Sequence, residues 1–234
     1  MLILAADTST PYLSIALCRN TAVVAEISIL ADRKHSEKLL LYVDQLLRET
    51  ETALSDIDLL AIAHGPGSFT GIRVGVSAWK GLAAGADVSI VGISTLDALA
   101  RRAEASERTL CTLLDAKMNE VYGAVYRYER TERRVLLDHT VAPVEAILEH
   151  CSEDTLFLGD GATLYSEQIR TVFPDAQILH NAYDYPGASA VAFEALTLIE
   201  SGVRSANTNV TPVYLRKSQA EVNRDEQQNP LSTL

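Results

Sequence analysis

The sequence predicts an α/β protein built from two similar lobes, each formed by one half of the chain. The apolar segments of the first half alternate in the order β-β-β-α-β-α-β-α, and the same order occurs again in the second half. Shifting the sequence by 108 residues also superposes Asp7 on Asp115, each at the end of the first strand of its half. With 234 residues, 47% of them hydrophobic, the chain can bury a core in each lobe. We therefore expect one lobe over residues 1–102 and a second, smaller lobe over residues 103–216.

In the first half, short β-rich runs separated by polar turn residues predict strands. The helix predicted over Ser36–Thr50 carries an apolar stripe that we expect in the core, formed by Leu39, Leu40, Val43, Leu46 and Leu47. The predicted strands are Leu2–Ala6, Leu13–Cys18, Ala22–Leu30, Leu59–Ala63 and Ser89–Gly92, and the predicted helices are Ser36–Thr50, Thr70–Ala86 and Thr95–Glu104.

The second half shows the same alternation and then ends in a polar segment. The predicted strands are Thr109–Asp115, Val121–Arg127, Val135–Val141, Thr155–Leu158 and Ala176–His180, and the predicted helices are Val144–His150, Thr163–Val172 and Ala188–Glu200. Gly202 stands where the last helix is expected to end. Residues 217–234 contain only four apolar side chains among 18, which predicts a flexible tail.

The composition argues against several classes of protein. A formal net charge of −11 would repel the phosphate backbone, so we do not expect this chain alone to bind nucleic acid over a broad surface. No run of about 18 apolar residues is present, and the first residues lack the basic region of a secretory signal. The three cysteines form no CxxC pair, which argues against a zinc site and a disulfide framework. We expect a cytoplasmic protein without a membrane span.

A glycine-rich loop between a predicted strand and a predicted helix is the most distinctive local feature. It consists of Gly65, Pro66, Gly67, Ser68, Phe69, Thr70 and Gly71. Such a loop can hold a phosphate at a helix N-terminus, but its spacing matches neither the Walker loop nor the GxGxxG pattern. The alternative is a tight turn in which Ser68 or Thr70 caps the helix. The sequence leaves both interpretations open.

The helix that follows this loop has two unlike faces. One face is bulky and suits packing on a sheet; it carries Ile72, Val76, Trp79, Ala83 and Ala86. The other face is small and would let a second helix approach closely; it carries Gly71, Val74, Gly75, Ala78, Gly81, Leu82 and Gly85. A glycine inside a helix costs about 1 kcal/mol relative to alanine, so Gly75 and Gly81 require a packing reason, within the chain or with a partner.

Other candidate sites are weaker. Ser77 and Lys80 match the SxxK spacing of serine acylases, but the companion motifs of those enzymes are absent. The five histidines do not pair at metal-ligand spacing, and His35, just before a helix, suits a local polar contact. Asp7 and Asp115 suggest either a metal-bound phosphate held between the lobes or two turn caps.

Several segments together resemble the bacterial TsaB (YeaZ) family. They are DTST at 7–10, HSEKLL at 35–40, GPGSFTGIRVGVSAWKGLA at 65–83, GISTLDALA at 92–100, DAKMNEVY at 115–122 and PVYLR at 212–216. The family motif falls on Asp7, Thr8 and Ser9, on the glycine-rich loop, and on Arg73. The resemblance implies a two-lobed actin-like ATPase fold (a duplicated RNase H-like fold). It also implies a role in forming N6-threonylcarbamoyladenosine beside the anticodon of tRNA, in association with a TsaD-like catalytic subunit and a TsaE-like ATPase.

The same resemblance implies that this chain has lost its active site. The catalytic paralogue carries a metal-binding HxxxH motif, and Ile93 and Asp97 stand at the corresponding positions here. Isoleucine cannot bind a metal ion, and one carboxylate alone is not sufficient. We therefore expect no cofactor in the isolated chain, with ATP and metal bound by the partner subunits and tRNA bound only within the complex.

The resemblance further implies a partner surface on the first two helices, which would pack against the same pair of helices in a second chain. That chain is either the TsaD-like subunit or, for the protein alone, another copy of itself. The expected interface residues are His35, Leu39, Leu41, Tyr42, Val43, Leu46, Val74, Gly75, Ala78, Gly81 and Leu82. Two alternatives remain: an enzyme that binds or hydrolyses ATP between the lobes, and a peptidase, for which no nucleophile with an oriented base is evident.

Overall fold

The computed structural model describes residues 1–31, 34–104, 106–129, 132–202 and 210–216. The strands within them are β1 (Leu2–Asp7), β2 (Tyr12–Arg19), β3 (Ala22–Leu30), β4 (Leu59–Gly65), β5 (Ser89–Ser94), β6 (Thr109–Lys117), β7 (Glu120–Glu129), β8 (Glu132–Ala142), β9 (Thr155–Leu158) and β10 (Gln177–Ile178). The helices are α1 (His35–Glu49), α2 (Phe69–Ala86), α3 (Thr95–Arg101), α4 (Val144–Leu148), α5 (Asp160–Leu164), α6 (Ser166–Val172) and α7 (Ala188–Glu200).

The first sheet has the strand order β3-β2-β1-β4-β5. Its central strand β1 pairs antiparallel with β2, which follows a tight turn, and parallel with β4, which follows the crossover through α1. Successive side chains of β1 point to opposite faces of the sheet. Leu4 belongs to a core shared with α1 and α2, whereas Ile3 and Ala5 belong to a core shared with α3 and α7. Helices therefore cover both faces of this sheet.

The second sheet repeats this arrangement with the order β8-β7-β6-β9-β10. Its central strand β6 again pairs antiparallel with the next strand and parallel with β9. One face of the sheet packs on α4, α5 and α6, with Phe157 and Ile169 fully buried between them. The other face packs on α3 through Leu96 and Leu99. The predicted two-lobed α/β architecture, with its element order used twice, is confirmed.

The helices α3 and α7 connect the two lobes. α7 is formed late in the chain but packs on the first sheet, where the backbone amide of Ala188 donates to the Ser14 hydroxyl at 2.8 Å. On α3, Leu96 and Leu99 are buried against the second sheet, whereas Ala98 is buried in the core of the first. The sequence repeat places a boundary between the lobes at residue 102. However, α3, which precedes it, packs on the second sheet, and α7, which follows it, packs on the first sheet.

Several details of the predicted elements differ from the structure; among them, the strand predicted over Ala176–His180 is Gln177–Ile178 and the helix predicted over Val144–His150 ends at Leu148. The single helix predicted over Thr163–Val172 is replaced by α5 and α6, because the chain turns at Tyr165, where φ is −99° and ψ is 22°. The helix predicted to reach Glu104 ends at Arg101. Leu40, expected in the core, is 53% exposed, because it lies about 100° around the helix axis from the buried Leu39.

The predicted tail, residues 217–234, lies outside the described residues. In the described ranges, no helix combines the length and the apolar character that crossing a membrane requires.

Candidate functional site

A cleft of about 780 Å³ lies between the two lobes. The first lobe contributes the loop after β1 and the start of α2, and the second lobe contributes the end of β6 and the first residue of α5. The charged side chains of the second-lobe wall are Asp115, Lys117, Asp160 and Arg216. Ligands of open α/β sheets bind at the carboxyl ends of the strands, so this cleft is the first candidate site.

The glycine-rich loop that borders the cleft is packed against the chain's own backbone. A Cβ atom at Gly65 would overlap the carbonyl oxygen of Val213, and one at Gly67 would overlap the carbonyl oxygen of Ser9. Both glycines also have positive φ angles, 122° and 150°, which other residues rarely adopt. The glycines at these two positions are therefore required by contacts within the chain.

The start of α2 is held in the same way. A Cβ atom at Gly71 would overlap the carbonyl oxygen of Thr8, and one at Gly75 would overlap the Thr8 hydroxyl. Ser68 caps the helix, since its hydroxyl accepts a hydrogen bond from the backbone amide of Gly71 at 3.2 Å. These contacts are those of a tight, capped turn, and they favour that interpretation over a phosphate cradle.

The two acids at the ends of β1 and β6 are engaged in their own turns. Asp7 is fully buried, and its Oδ1 accepts hydrogen bonds from the backbone amide of Ser9 at 2.8 Å and from the Ser9 hydroxyl at 2.5 Å. Burial raises the pKa of Asp7 although these hydrogen bonds act in the opposite direction. Asp115 accepts from the backbone amide of Lys117 at 2.8 Å and pairs with its ammonium group. Among the residues that the structure describes, no group of three or more His, Cys, Asp or Glu side chains is arranged to hold a metal ion.

Ile93 and Asp97, the positions expected to correspond to the paralogue's histidines, have other contacts in this chain. Ile93 is buried in the apolar core of the first lobe. Asp97 accepts a hydrogen bond from the Tyr126 hydroxyl at 2.7 Å, and the same oxygen lies 3.0 Å from Nε2 of His139. Its other oxygen lies 3.5 Å from Arg133. Burial opposes ionisation of this carboxyl, but the neighbouring His139 and Arg133 outweigh burial and lower its pKa.

Ser94, His139 and Asp97 lie within hydrogen-bond distance of one another, as the residues of a serine hydrolase do. However, the Ser94 hydroxyl is 3.2 Å from Nε2 of His139, and Asp97 contacts the same nitrogen. A catalytic triad needs the serine and the acid on different ring nitrogens, so that the acid orients the base. The Ser94 hydroxyl also accepts from the backbone amide of Asp97 at 3.4 Å and so caps α3. This group does not provide the activated nucleophile of a peptidase.

The second candidate site is the outward surface of α1 and α2, which lie side by side. On α1, Leu40 and Leu41 are 53% and 61% exposed. On α2, a Cβ atom at Gly81 would have no neighbour within 4 Å, and Ala78 is half-buried. We define the outer helix face as the surface formed by Leu40, Leu41, Tyr42, Val74, Ala78, Gly81 and Leu82.

Some residues expected at the partner interface lie inside the chain instead: His35, Leu39, Val43, Leu46 and Gly75. The three apolar ones form the core stripe of α1 and face the first sheet. Nε2 of His35 lies 3.1 Å from the carbonyl oxygen of Thr10, which ties the start of α1 to the loop after β1. Their assignment to a partner surface is corrected, because a buried side chain presents no area to a second protein.

The site residues predicted from the sequence do not include Arg133 and His139, which contact Asp97 in the structure, or Glu194, which contacts Arg133. The sequence does contain a signal for Glu194. Glu194 interrupts an otherwise apolar stretch of α7, and a carboxylate on the buried face of a helix needs a cationic partner. Arg133 is that partner, at 2.8 Å.

Residues 210–216 run from the first lobe to the second, and we call them the connecting segment. The ring of Tyr214 stacks on Phe69 with 4.7 Å between ring centroids, and its hydroxyl accepts from Nε of Arg73 at 2.8 Å. At the other end, Arg216 pairs with a carboxylate of β7 at 3.1 Å. The family-motif residues Phe69 and Arg73 are thus part of a contact that joins α2 to this segment.

The duplicated sheet order, the helices on both faces and the cleft between the lobes define a two-lobed protein of the actin-like ATPase fold class. A family model described as "TsaD: tRNA N6-adenosine threonylcarbamoyltransferase" matches residues 26–224. The chain is 31% identical over 225 residues to the "tRNA threonylcarbamoyladenosine biosynthesis protein TsaB" of Bacillus subtilis, covering 94% of this chain and 96% of the relative. The chain belongs to this family, and within it to the TsaB proteins of tRNA threonylcarbamoyladenosine biosynthesis.

Further comparisons agree with this assignment. The TsaB protein of Escherichia coli is 32% identical over 232 residues, covering 94% of this chain and 96% of the relative. A solved structure from Pseudomonas aeruginosa, described as an uncharacterized protein with similarity to peptidase YEAZ, is 29% identical with a TM-score of 0.81. The match covers 92% of this chain and 99% of that one, so the whole two-lobed architecture is shared.

Proposed function

We propose that this chain is a non-catalytic subunit required for forming N6-threonylcarbamoyladenosine beside the anticodon of tRNA. In this role it binds and organises a TsaD-like catalytic subunit together with a TsaE-like ATPase in the cytoplasm, and it meets tRNA only within that complex. The observation that carries the proposal is the outer helix face, an apolar surface on two adjacent helices in which Leu40, Leu41 and Gly81 are exposed and the other members are only partly buried.

The interior of the chain supports a non-catalytic role. The glycine-rich loop, which in a nucleotide-binding protein would face a phosphate, is packed on Thr8 and Ser9. The carboxylate of Asp97, at a position where the paralogue binds metal, is held by His139 and Arg133. On this proposal the isolated chain carries no cofactor, and ATP and metal are bound by the partner subunits.

The shape of the outer helix face supports a helical partner. Small residues such as Ala78 and Gly81 allow another helix to approach closely, and the exposed Leu40 and Leu41 supply apolar area beside them. We propose a four-helix contact with the corresponding helices of the TsaD-like subunit. In the absence of that subunit, a second copy of this chain covers the same face and forms a homodimer.

The proposal is tested with Ala78→Arg, which places a long charged side chain at the centre of the outer helix face. Because Ala78 is only half-buried, the variant is expected to fold normally, as judged by circular dichroism. It should lose co-purification with a TsaD-like subunit, elute as a monomer in size-exclusion chromatography, and fail to support tRNA modification. The matched control is Ala84→Arg, an exposed position of α2 about 120° around the helix from Ala78.

A folded Ala78→Arg variant that still associates and supports modification would contradict the proposed interface.

The second candidate function is an enzyme that binds or hydrolyses ATP, and the observation that favours it is the cleft itself, with Lys117 and Arg216 on its wall. Nucleotide binding by the isolated chain separates the two functions. A peptidase is less well supported, because the Ser94 group lacks the geometry of a triad.

A further inference from the structure

A group of charged side chains lies where α3 and α7 meet the second sheet, outside the cleft. It consists of Asp97 and Arg101 from α3, Glu194 from α7, Tyr126 from β7, and Arg133 and His139 from β8. We call it the interlobe ion group. Its charged side chains have little access to water, from 4% exposure at Glu194 to 26% at His139. Because electrostatic interactions are stronger away from water, the interaction energy of these side chains depends strongly on the distances between their charges.

Arg133 is the central cation of this group. Its guanidinium lies 2.8 Å from the carboxylate of Glu194 and 3.5 Å from that of Asp97, so one side chain of the second lobe contacts both connecting helices. The same guanidinium lies over the ring of Tyr126, 5.2 Å from its centroid. Because a guanidinium is planar and donates in fixed directions, two carboxylates and a ring together define its position.

Asp97 receives a second set of contacts from the second sheet. The Tyr126 hydroxyl donates to it at 2.7 Å, and Nε2 of His139 lies 3.0 Å from the same oxygen. On the side of the first lobe, Arg101 lies 3.9 Å from Glu194 and compensates part of its charge. The group therefore joins β7 and β8 to α3 and α7 through several directional contacts.

Apolar packing between the lobes does not constrain their relative angle in the way that these directional contacts do. Leu96 and Leu99 of α3 are fully buried against the second sheet, which holds the lobes together. The hydrophobic effect depends on buried area and has no preferred direction, so these contacts tolerate small rotations of one sheet over the helix. A poorly hydrated ion pair is favourable only while its geometry is kept, since separation leaves uncompensated charges.

We propose that the interlobe ion group is a lock that sets the angle between the two lobes without any ligand in the cleft. The connecting segment, which touches both lobes, acts with it as a second tie. The lock makes the two lobes one rigid unit, so that the outer helix face is presented in a constant orientation relative to the second lobe. This inference is independent of the proposed subunit role, which requires only the outer helix face.

The lobe angle is measured by double electron–electron resonance between two nitroxide labels. Ser55→Cys in the first lobe and Gln168→Cys on α6 give exposed labelling positions, and Cys151→Ser removes a half-buried thiol. The other two cysteines, Cys18 and Cys111, are buried and unreactive towards the label. The labelled protein is diluted with unlabelled protein, so that distances between chains do not contribute.

The test variant is Arg133→Met, which removes the central cation at similar volume. Its control is Arg108→Met, which removes a partly buried arginine and its 2.8 Å ion pair with Asp154 inside the second lobe. The parent and the control are expected to give one narrow distance distribution. In Arg133→Met the distribution should broaden and its maximum should shift. Circular dichroism and a melting curve establish that each variant is folded.

Arg133→Lys is the second variant in case Arg133→Met does not fold. It keeps the positive charge beside Asp97 and Glu194 but loses the planar pair of donors, so it should fold and broaden the distribution to a smaller extent. The distance distribution of whichever variant is folded shows whether the interlobe ion group sets the lobe angle. A folded variant whose distance distribution is as narrow as that of the parent, with the same maximum, would overturn the lock and assign the lobe angle to apolar packing and the connecting segment.

Discussion

The hydroxyl of Thr8 donates a hydrogen bond to the carbonyl oxygen of Gly71 at 2.8 Å, and so joins the loop after β1 to the first turn of α2, 63 residues further along the chain. Thr8 is fully buried, and its hydroxyl occupies the space that a Cβ atom of Gly75 would need. The first turn of α2 is thereby seated on the loop after β1. Gly71 and Gly75 are therefore explained by their contacts with Thr8 within the first lobe.

Gly75→Ala is expected to destabilise the protein, because its methyl group would overlap the Thr8 hydroxyl and lie 3.0 Å from Cδ1 of Ile62. Overpacking of this kind typically costs about 1–3 kcal/mol of the free energy of unfolding, which a urea titration measures. The control is Gly85→Ala on the same helix but outside the outer helix face, where a Cβ atom would have no neighbour within 4 Å. There, alanine should stabilise the helix by up to about 1 kcal/mol. Equal losses at both positions would contradict the role assigned to Thr8.

The pH dependence of stability should depend on His139. Burial disfavours the charged imidazolium, but the hydrogen bond and charge of Asp97 raise the pKa of His139 above 6.5. Its contribution to stability is therefore fully present below about pH 6.5 and is lost as the pH rises through the folded-state pKa. Since burial lowers the pKa of His64, that residue acts in the opposite direction.

The quantity to measure is therefore the difference in the free energy of unfolding between the parent and His139→Gln, obtained from urea titrations over a range of pH. His139→Gln should cost more stability in mildly acidic solution than at alkaline pH. The carboxylate of Asp97, whose pKa is lowered from 3.8, contributes above that pH and loses its contribution as the pH falls through the folded-state value. A parent–variant difference that does not change with pH would mean that His139 is neutral beside Asp97.

Tyr214→Ala should loosen the connecting segment, because it removes both the stack on Phe69 and the hydrogen bond from Arg73. Aromatic pairs contribute about 0.5–1.5 kcal/mol, and a loss of this size is expected in the free energy of unfolding. Hydrogen exchange at the amide of Val213, which donates to the carbonyl of His64 at 2.8 Å, should become faster. Tyr214→Phe keeps the stack and should behave like the parent. If both variants lost the same protection, the hydroxyl would be the important group.

The isolated chain is expected to bind neither ATP nor Mg²⁺ tightly. The glycine-rich loop already faces Thr8, Ser9 and Val213, and Asp7 and Asp115 already accept hydrogen bonds in their own turns. Isothermal titration calorimetry of the purified chain with ATP and MgCl2 should therefore show no saturable binding at micromolar concentrations. Micromolar or tighter affinity would favour the second candidate function, an ATP-dependent enzyme.

Most elements were predictable because their apolar segments show a strand or helix period; even the short strand Thr155–Leu158 and the helix Ala188–Glu200 have the expected bounds. The face of the sheet that a helix covers was not predictable, because α7 is apolar nearly all round and its period does not specify a partner. Arg133 and His139 were missed for a related reason. Their partners, Asp97 and Glu194, are distant in sequence and come together only through the packing of the two lobes.

The late position of α7 has a consequence for how the protein is made. The second face of the first sheet is covered by a helix that begins 174 residues after the Ser14 hydroxyl it meets. During synthesis on the ribosome, α3 can cover part of this face early, but the area that packs on α7, which includes Ile3 and Ala5 of β1, stays uncovered until α7 has emerged. The first lobe therefore cannot complete its folding before α7 is synthesised. A nascent chain halted before α7 would expose an apolar surface that chaperones and proteases recognise.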